Sequence, residues 1–597
     1  DIGNFKHLVD LQISSNRLEI LPSVLGSLTS LGQISYADNT LGSPPLTVLN
    51  KGSEAVIFFL RRLWIGQTTG SLDLSGQELV AVPPEVLKMT ALTSLNLDHN
   101  EISVLPEDID SLVNLKILSI ANNVMAVLTP KVEKLVSLER LDVSENTLLT
   151  LPLELGNCNK LSVLNIQGNL DLKSPPPEII ERGTRFILSY LHRLYIAQKS
   201  GKLDFSSLDL KGLPTEVTKY NEITMLSLFQ NQLSKLPEEI SSLSKLQELN
   251  VVQNQLQSLP NAIAKLVDLH SLFLSHNHLQ SIPSLSALKQ LEYLHVDSNE
   301  LSCIADDIGS SSRLLQLWAD YNQISNLPQS LNLLSNLTDL RVEHNLLASI
   351  PERVDGMQGL VQLRLGSNNI EFLPSSLGGI TTLQILMIPD NLLKRLPFEM
   401  GMLIDLRELD LRNNPLEVPP PEVVSDGCEK VVEYLYRFLH ATRAHALNLS
   451  NMNLRAVPDD VFLMTGITSL ALCSNCLVEI PEALHNLTNL KELLLDDNAL
   501  EALPTAVLSL TKLEILSLRE NKLVTLRSEL GLLTNLKILA LENNELESPP
   551  KELIKRGTDI LLEYLRQIYQ AAHTRKLDLS SMSLTTLPGD VVMLTNL

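Results

Sequence analysis

Apolar residues recur along the chain in one pattern, L-x-x-L-x-L-x-x-N, as in Leu314-Leu315-Gln316-Leu317-Trp318-Ala319-Asp320-Tyr321-Asn322. Alternation at the centre of the pattern predicts a short strand. Leu340 and Val342 would point into a core while Asp339, Arg341 and Glu343 face solvent. The asparagine returns every 23 residues in the regular turns, once after 22, from Asn16 to Asn544. Four further turns carry Gln77, Leu208, Met452 and Met582 in its place, which makes 23 turns in all. Backbone groups that turn inward at the end of a strand need partners, and an amide side chain such as that of Asn345 can supply them. A Leu-Pro pair usually follows, as at Leu236-Pro237 and Leu327-Pro328. Proline there fits the first turn of a short helix or 3₁₀ segment on the far side of the turn.

Four turns are longer, with additions near residues 44–69, 173–200, 417–445 and 547–575. In Ser174-Pro175-Pro176-Pro177-Glu178-Ile179-Ile180-Glu181-Arg182-Gly183-Thr184, followed by Ile187, Leu188, Leu191 and Leu194, the apolar spacing after the glycine is helical, with Thr184 placed as an N-cap. From Asn39 to Asn169 is 130 residues and from Asn414 to Asn544 again 130, so one long and four regular turns form a duplicated block.

A period in this range with this motif is the leucine-rich repeat signature. The expected fold is an α/β leucine-rich repeat solenoid, a horseshoe or superhelix with a parallel concave sheet, short convex helices and four longer helical inserts. It is read as a single continuous array over residues 1–597. A start at Asp1 and a stop at Leu597, the first position of a new repeat, read as a piece of a longer polypeptide. The extended motif L-x-x-L-x-L-x-x-N-x-L-x-x-L-P resembles the Ras-group leucine-rich repeat proteins: the Ras-scaffold proteins of animals, the plant intracellular Ras-group family and the arrays of Roco proteins. The segment Pro419 to Leu435 is similar to the one that closes the array in plant and Roco members, although here its like occurs four times within the array. The resemblance implies a cytosolic scaffold in small-GTPase or kinase signalling.

Against this regular background one column changes character. The residue between the second and third apolar positions is Phe273, His295, Trp318, Arg341, Arg364 and Met387 on six consecutive turns. The same position is Asp142, Asn165, Asp204, Ser227 and Asn250 before them, and Asp410, Asn448 and Ala471 after. Phe229, Tyr293, Tyr321 and His344 flank the column on the same face. Aromatic residues, Met and Arg are the types enriched at interface cores, so these ten residues are the candidate protein-binding site. The bland alternative is that a strand face accepts bulky residues by chance, and that Arg341 and Arg364 merely pair with Asp339, Asp320 and Glu343.

Charge and chemistry narrow the function further. With 47 basic and 69 acidic residues the formal net charge is −22, the wrong sign for a nucleic-acid or anionic-membrane binder. A basic or mixed-charge protein fits better, with a small GTPase, a kinase or a phosphatase as the classes the resemblance implies. Five cysteines without a disulfide framework favour a reducing, cytoplasmic setting. No apolar run long enough to span a membrane is apparent. No phosphate-binding loop, kinase signature or nucleophile elbow occurs, and Cys473-Ser474-Asn475-Cys476 has zinc-like spacing without a second pair. An enzyme, a cofactor and a metal are therefore not expected. Two alternatives to a free-standing scaffold remain: the regulatory array of a multidomain Roco-type GTPase or kinase, and an immune-type sensor array.

Overall fold

The structure, a computed structural model, describes residues 2–580 together with Met582, Leu584, Thr585, Thr586, Pro588 and Val591; the repeat start expected at Leu597 lies outside the described residues. Each regular turn closes on its asparagine. Asn368 Nδ2 donates to the carbonyls of Val342 (2.8 Å), Leu365 (3.1 Å) and Gly366 (3.1 Å), while its Oδ1 accepts the N–H of Leu347 at 3.0 Å. One amide thus satisfies backbone groups of its own turn and of the turn before, in a position where it is buried. Above this ladder the strands are three residues long, parallel, and in register at the motif leucines, as Leu317 with Leu340 and Leu340 with Leu363. Those leucines are fully buried. The fold is a leucine-rich repeat solenoid.

The chain packs as two compact units, Asp1–Leu279 and Gln280–Leu597. In the first unit, strands Asp10–Gln12 and Gln33–Ser35 pair; the five from Ser71–Asp73 to Val163–Asn165 form a second ladder, and Lys202–Asp204 opens a third that runs to Ser271–Phe273. The second unit opens with β1 (Tyr293–His295), β2 (Gln316–Trp318), β3 (Asp339–Arg341), β4 (Gln362–Arg364), β5 (Ile385–Met387) and β6 (Glu408–Asp410), paired consecutively. A separate ladder of five strands follows, from Ala446–Asn448 to Ile538–Ala540.

Breaks in the ladders fall at the long turns, where helices stand: α1 (Ser53–Thr69), α2 (Thr184–Ser200), α3 (Cys428–Ala444) and α4 (Thr558–Thr574). A strand that loses its neighbour leaves an N–H exposed, and the first helical side chain fills the gap. Ile34 N–H donates to Ser53 Oγ (2.6 Å), Leu164 N–H to Thr184 Oγ1 (3.0 Å) and Leu539 N–H to Thr558 Oγ1 (2.9 Å). Thr184 is therefore not the N-cap that helical spacing suggests: Gly183, at φ 87°, holds that position, and the hydroxyl serves the preceding strand instead. Each helix also lies directly on the turn before it, over Gly26, Gly156, Gly401 and Gly531, where any Cβ would collide with the backbone of Leu60, His192, Tyr436 or Arg566. In the regular turns the proline sits one residue earlier than its sequence suggests, as the N-cap of a 3₁₀ segment such as Glu238–Ser242 or Gln329–Leu333. Among the described residues no helix is long and apolar enough to cross a membrane.

Asn345 donates to the carbonyls of Ala319 and Glu343, both at 3.0 Å, and accepts the N–H of Ile324 at 2.9 Å. Asn345→Ala strands these groups at roughly 1–3 kcal/mol. Because turns couple only to neighbours, hydrogen exchange should quicken near residues 319–368 and stay unchanged near residues 71–119. Uniform acceleration would contradict this.

Candidate functional site

β1 to β5 bring five of the six column residues onto one strand face of the second unit. His295 pairs in register with Trp318, Trp318 with Arg341, Arg341 with Arg364, and Arg364 with Met387. Parallel strands about 4.8 Å apart set such side chains at stacking distance. The His295 and Trp318 rings lie 3.8 Å apart and 4° from parallel, and the Arg341 guanidinium covers the Trp318 ring at 4.1 Å. Both faces of the indole are thus occupied, and only its edge is open to solvent.

Asp339 holds this pile together. Its carboxylate accepts from Trp318 Nε1 at 2.9 Å and from Arg341 Nε at 3.0 and 3.2 Å, with Arg341 Nη2 2.8 Å away. Strand alternation places Asp339 in solvent, yet it is buried, because the long side chains of Trp318 and Arg341 close over it. The same pairing supports part of the bland alternative, since Arg341 does pair with Asp339. Among the described residues Arg364 forms no ion pair, and its Nε is buried without an acceptor.

Beside the pile, His295 Nε2 lies 3.2 Å from Gln316 Oε1, and burial holds its imidazole below the usual histidine range, hence neutral near pH 7. Asp320 is the most perturbed carboxyl of the face. Burial, with Glu343 and Asp297 nearby, pushes it up to about 6, against the N–H of Glu343, which its Oδ1 accepts at 2.6 Å.

Tyr321 and His344 stack at 4.2 Å where the strands end. Both have left-handed backbone, φ 54° and 52°, at a position that other turns fill with Ser298, Ser367, Asp390 or Asn413. A tyrosine there is unusual, since bulky side chains disfavour that region. It is 57 % exposed. Tyr293 lies half-buried on β1. Phe229 and Phe273 are half-buried in the first unit, Phe273 on its last strand.

Sequence reasoning missed the residues just past the strand ends. Leu346, Phe372 and Leu392, on the turns of β3, β4 and β5, are exposed by 54 %, 61 % and 46 %. The signal was there: the equivalent positions on nearby turns are Gln323, Asn326 and Arg395. Together with Tyr321 they carry apolar surface from the strand face round its edge. The five cysteines are free, and among the described residues no group of three or more His, Cys, Asp or Glu is arranged to hold a metal.

Residues 69–125 and 442–500 match a leucine-rich repeat model, residues 267–309 a two-copy leucine-rich repeat model, and residues 405–426 a single-repeat model. No curated protein matches the chain. Among solved structures it is similar to a Leptospira interrogans LRR protein, at 24 % identity over 82 % of this chain and 95 % of that one, TM-score 0.27. The LRR ectodomain of the receptor kinase GASSHO1/SCHENGEN3 from Arabidopsis thaliana, in complex with CASPARIAN STRIP INTEGRITY FACTOR 2, is 24 % identical over 91 % and 74 % of the two chains, TM-score 0.37. YopM from Yersinia enterocolitica is 22 % identical over 82 % and 91 %, TM-score 0.30.

The raised Asp320 pKa gives a signed expectation. Its folded value lies above the ordinary carboxylate value, so it lowers stability as pH rises from about 4 to about 6, with the full penalty above that window. Asp320→Asn keeps an acceptor for Glu343 N–H and removes the charge. Denaturant unfolding should find it more stable by roughly 1–3 kcal/mol at pH 7 and unchanged near pH 4. An equal difference at both pH values would rule out burial of the charge as the cause.

Proposed function

We propose that this protein is a non-catalytic scaffold that binds a signalling protein through the strand face of β1 to β5 and the edge beside it. One observation carries the reading: three side chains from consecutive strands are locked into a single pile over a buried carboxylate, with Tyr321 held out beside them. Rigid aromatic and arginine side chains lose little entropy on binding, and they are the types that dominate interface energies. The exposed Leu346, Phe372 and Leu392 on the turns of the same strands supply further apolar contact area. Leucine-rich repeats are in general protein-binding domains, which supports binding as the activity.

The partner class follows from the Ras-group resemblance of the repeat motif: a small GTPase, or a kinase or phosphatase acting with one. A net charge of −22 favours partners with basic or mixed surfaces. A cytoplasmic setting is supported by five cysteines that are all free of disulfides, and burial pushes the Cys158 thiol up to about 11, far from a nucleophile's range.

Affinity capture from a cytosolic extract, followed by calorimetry on the purified partner, tests the assignment. Trp318→Ala and Arg341→Ala should each weaken binding by about 2 kcal/mol or more, the size of a typical hot spot, and Tyr321→Ala should do so without altering the melting curve. Asp142→Ala, the same strand position in the first unit, should change little. Wild-type binding by a normally folded Trp318→Ala protein would remove this face from consideration and move attention to the helical inserts. The purified chain is expected to turn over neither GTP nor ATP; hydrolysis abolished by a point mutation within it would defeat the scaffold reading.

A further inference from the structure

The cations of the strand face are treated unequally. Arg341 is neutralised by Asp339, two residues back on its own strand, and Arg412 is held the same way by Asp410, with Nε at 2.9 Å and Nη2 at 2.6 Å. Arg364 lies between them in chain order, one strand from Arg341. Its counterpart two residues back is Gln362, so Asp339-Leu340-Arg341 becomes Gln362-Leu363-Arg364 one turn later. On the neighbouring strands it faces Arg341 and Met387, and among the described residues no carboxylate forms an ion pair with it. Its Nε is buried with no acceptor. A buried donor without a partner is costly, and a charged one more so, so the position favours any ligand that brings an acceptor. The next outward position on the strand is Gly366, which offers no side chain to fill that role.

We propose that Arg364 is the receiving site for the side-chain carboxylate of an Asp or Glu in the partner protein. This rests on the docking-face reading above and names the chemistry at one point of it. A guanidinium matches a carboxylate through two parallel hydrogen bonds. A phosphate would match in shape, but Asp339, Asp320 and Glu343 crowd the same few strands, and a dianion meets more repulsion there than a monoanion does. Glu343 beside it suits a basic residue on the same segment, so the preferred ligand carries both charges. Trp318 and Arg364 are two strands apart, about 10 Å, which an extended segment crosses in about three residues. The acidic residue therefore sits about three positions from the apolar residue that rests against the pile.

Random dodecapeptides displayed on phage through their C-terminal ends, which leaves no free terminal carboxylate, are selected on the full chain. The recovered pool should be enriched in Asp or Glu at a fixed spacing from an aromatic or aliphatic residue, and selection on Arg364→Gln should lose the acidic preference alone. For one synthetic peptide, anisotropy titrations should show about ten- to hundredfold weaker binding on either Arg364→Gln or Glu→Gln in the peptide, with no further loss when both are changed. Arg364→Gln should melt no lower than the wild type, since it relieves a buried unpaired donor. Additive losses, an unchanged acidic preference, or a variant that unfolds early would each overturn the proposal, the last by making Arg364 structural. Tighter, Arg364-dependent binding of the phosphoserine peptide would overturn the carboxylate assignment. Failure of the docking face itself looks different: no peptides are recovered, or those recovered ignore Tyr321→Ala and Arg341→Ala.

Discussion

An inward-turning backbone must be hydrogen-bonded, and in this chain a side-chain amide does that work once per turn. The amide of Asn368 reaches the carbonyl of Val342 in the turn before and accepts an N–H from Leu347, 21 residues back. Such a bracket constrains the length of the intervening loop, which holds the step of the regular turns at 23 residues, once 22. Everything else inherits that register. Because Leu317, Leu340 and Leu363 line up, so do the outward residues between them, and a column read down the sequence becomes a row of touching side chains.

The long turns show what happens when the register is interrupted. A missing neighbour strand exposes backbone donors, and Ser53, Thr184 and Thr558 supply hydroxyls in the places where those donors fall. At the third insert the corresponding residue is Cys428, whose thiol lies 3.5 Å from the carbonyl of Leu406 instead. The glycines at 26, 156, 401 and 531 let the helix backbones settle onto the turn below. A glycine under the helix is common to all four inserts and the hydroxyl to three of them, which explains why the inserts share so much of their wording.

The fold was legible because its rules are local and repeated. Leucine period, asparagine step and the helical spacing after Gly183 each follow from one turn's requirements. The candidate site was legible only as a column of unusual residue types. Asp339 was read as solvent-facing, correctly for an isolated strand, but its burial depends on which side chains stand on the next strand and how far they lean. Thr184 looked like a cap because sequence shows its helix and hides the strand it serves. Phe229 and Phe273, drawn from the same column and its flank, lie in the first unit, a division that no residue type announces. The lateral residues Leu346, Phe372 and Leu392 were visible as apolar letters in polar columns, a comparison that needs the turns aligned first.

The arrangement of the pile bears on how such a face could discriminate between partners. With both indole faces covered and its N–H bound, Trp318 cannot re-pack to suit different surfaces. A fixed edge rewards shape match and penalises mismatch, whereas flexible Met-rich surfaces accommodate many partners. The neighbouring charges sharpen this. Arg341 is already neutralised and offers mainly shape, while Arg364 keeps its full charge beside a buried, unpaired donor. A partner that supplies an acceptor relieves that defect; one that covers Arg364 with an apolar group leaves a charge buried and unpaired, the costlier of the two errors. Selectivity on this face would therefore come less from what the pile attracts than from what the uncompensated arginine excludes.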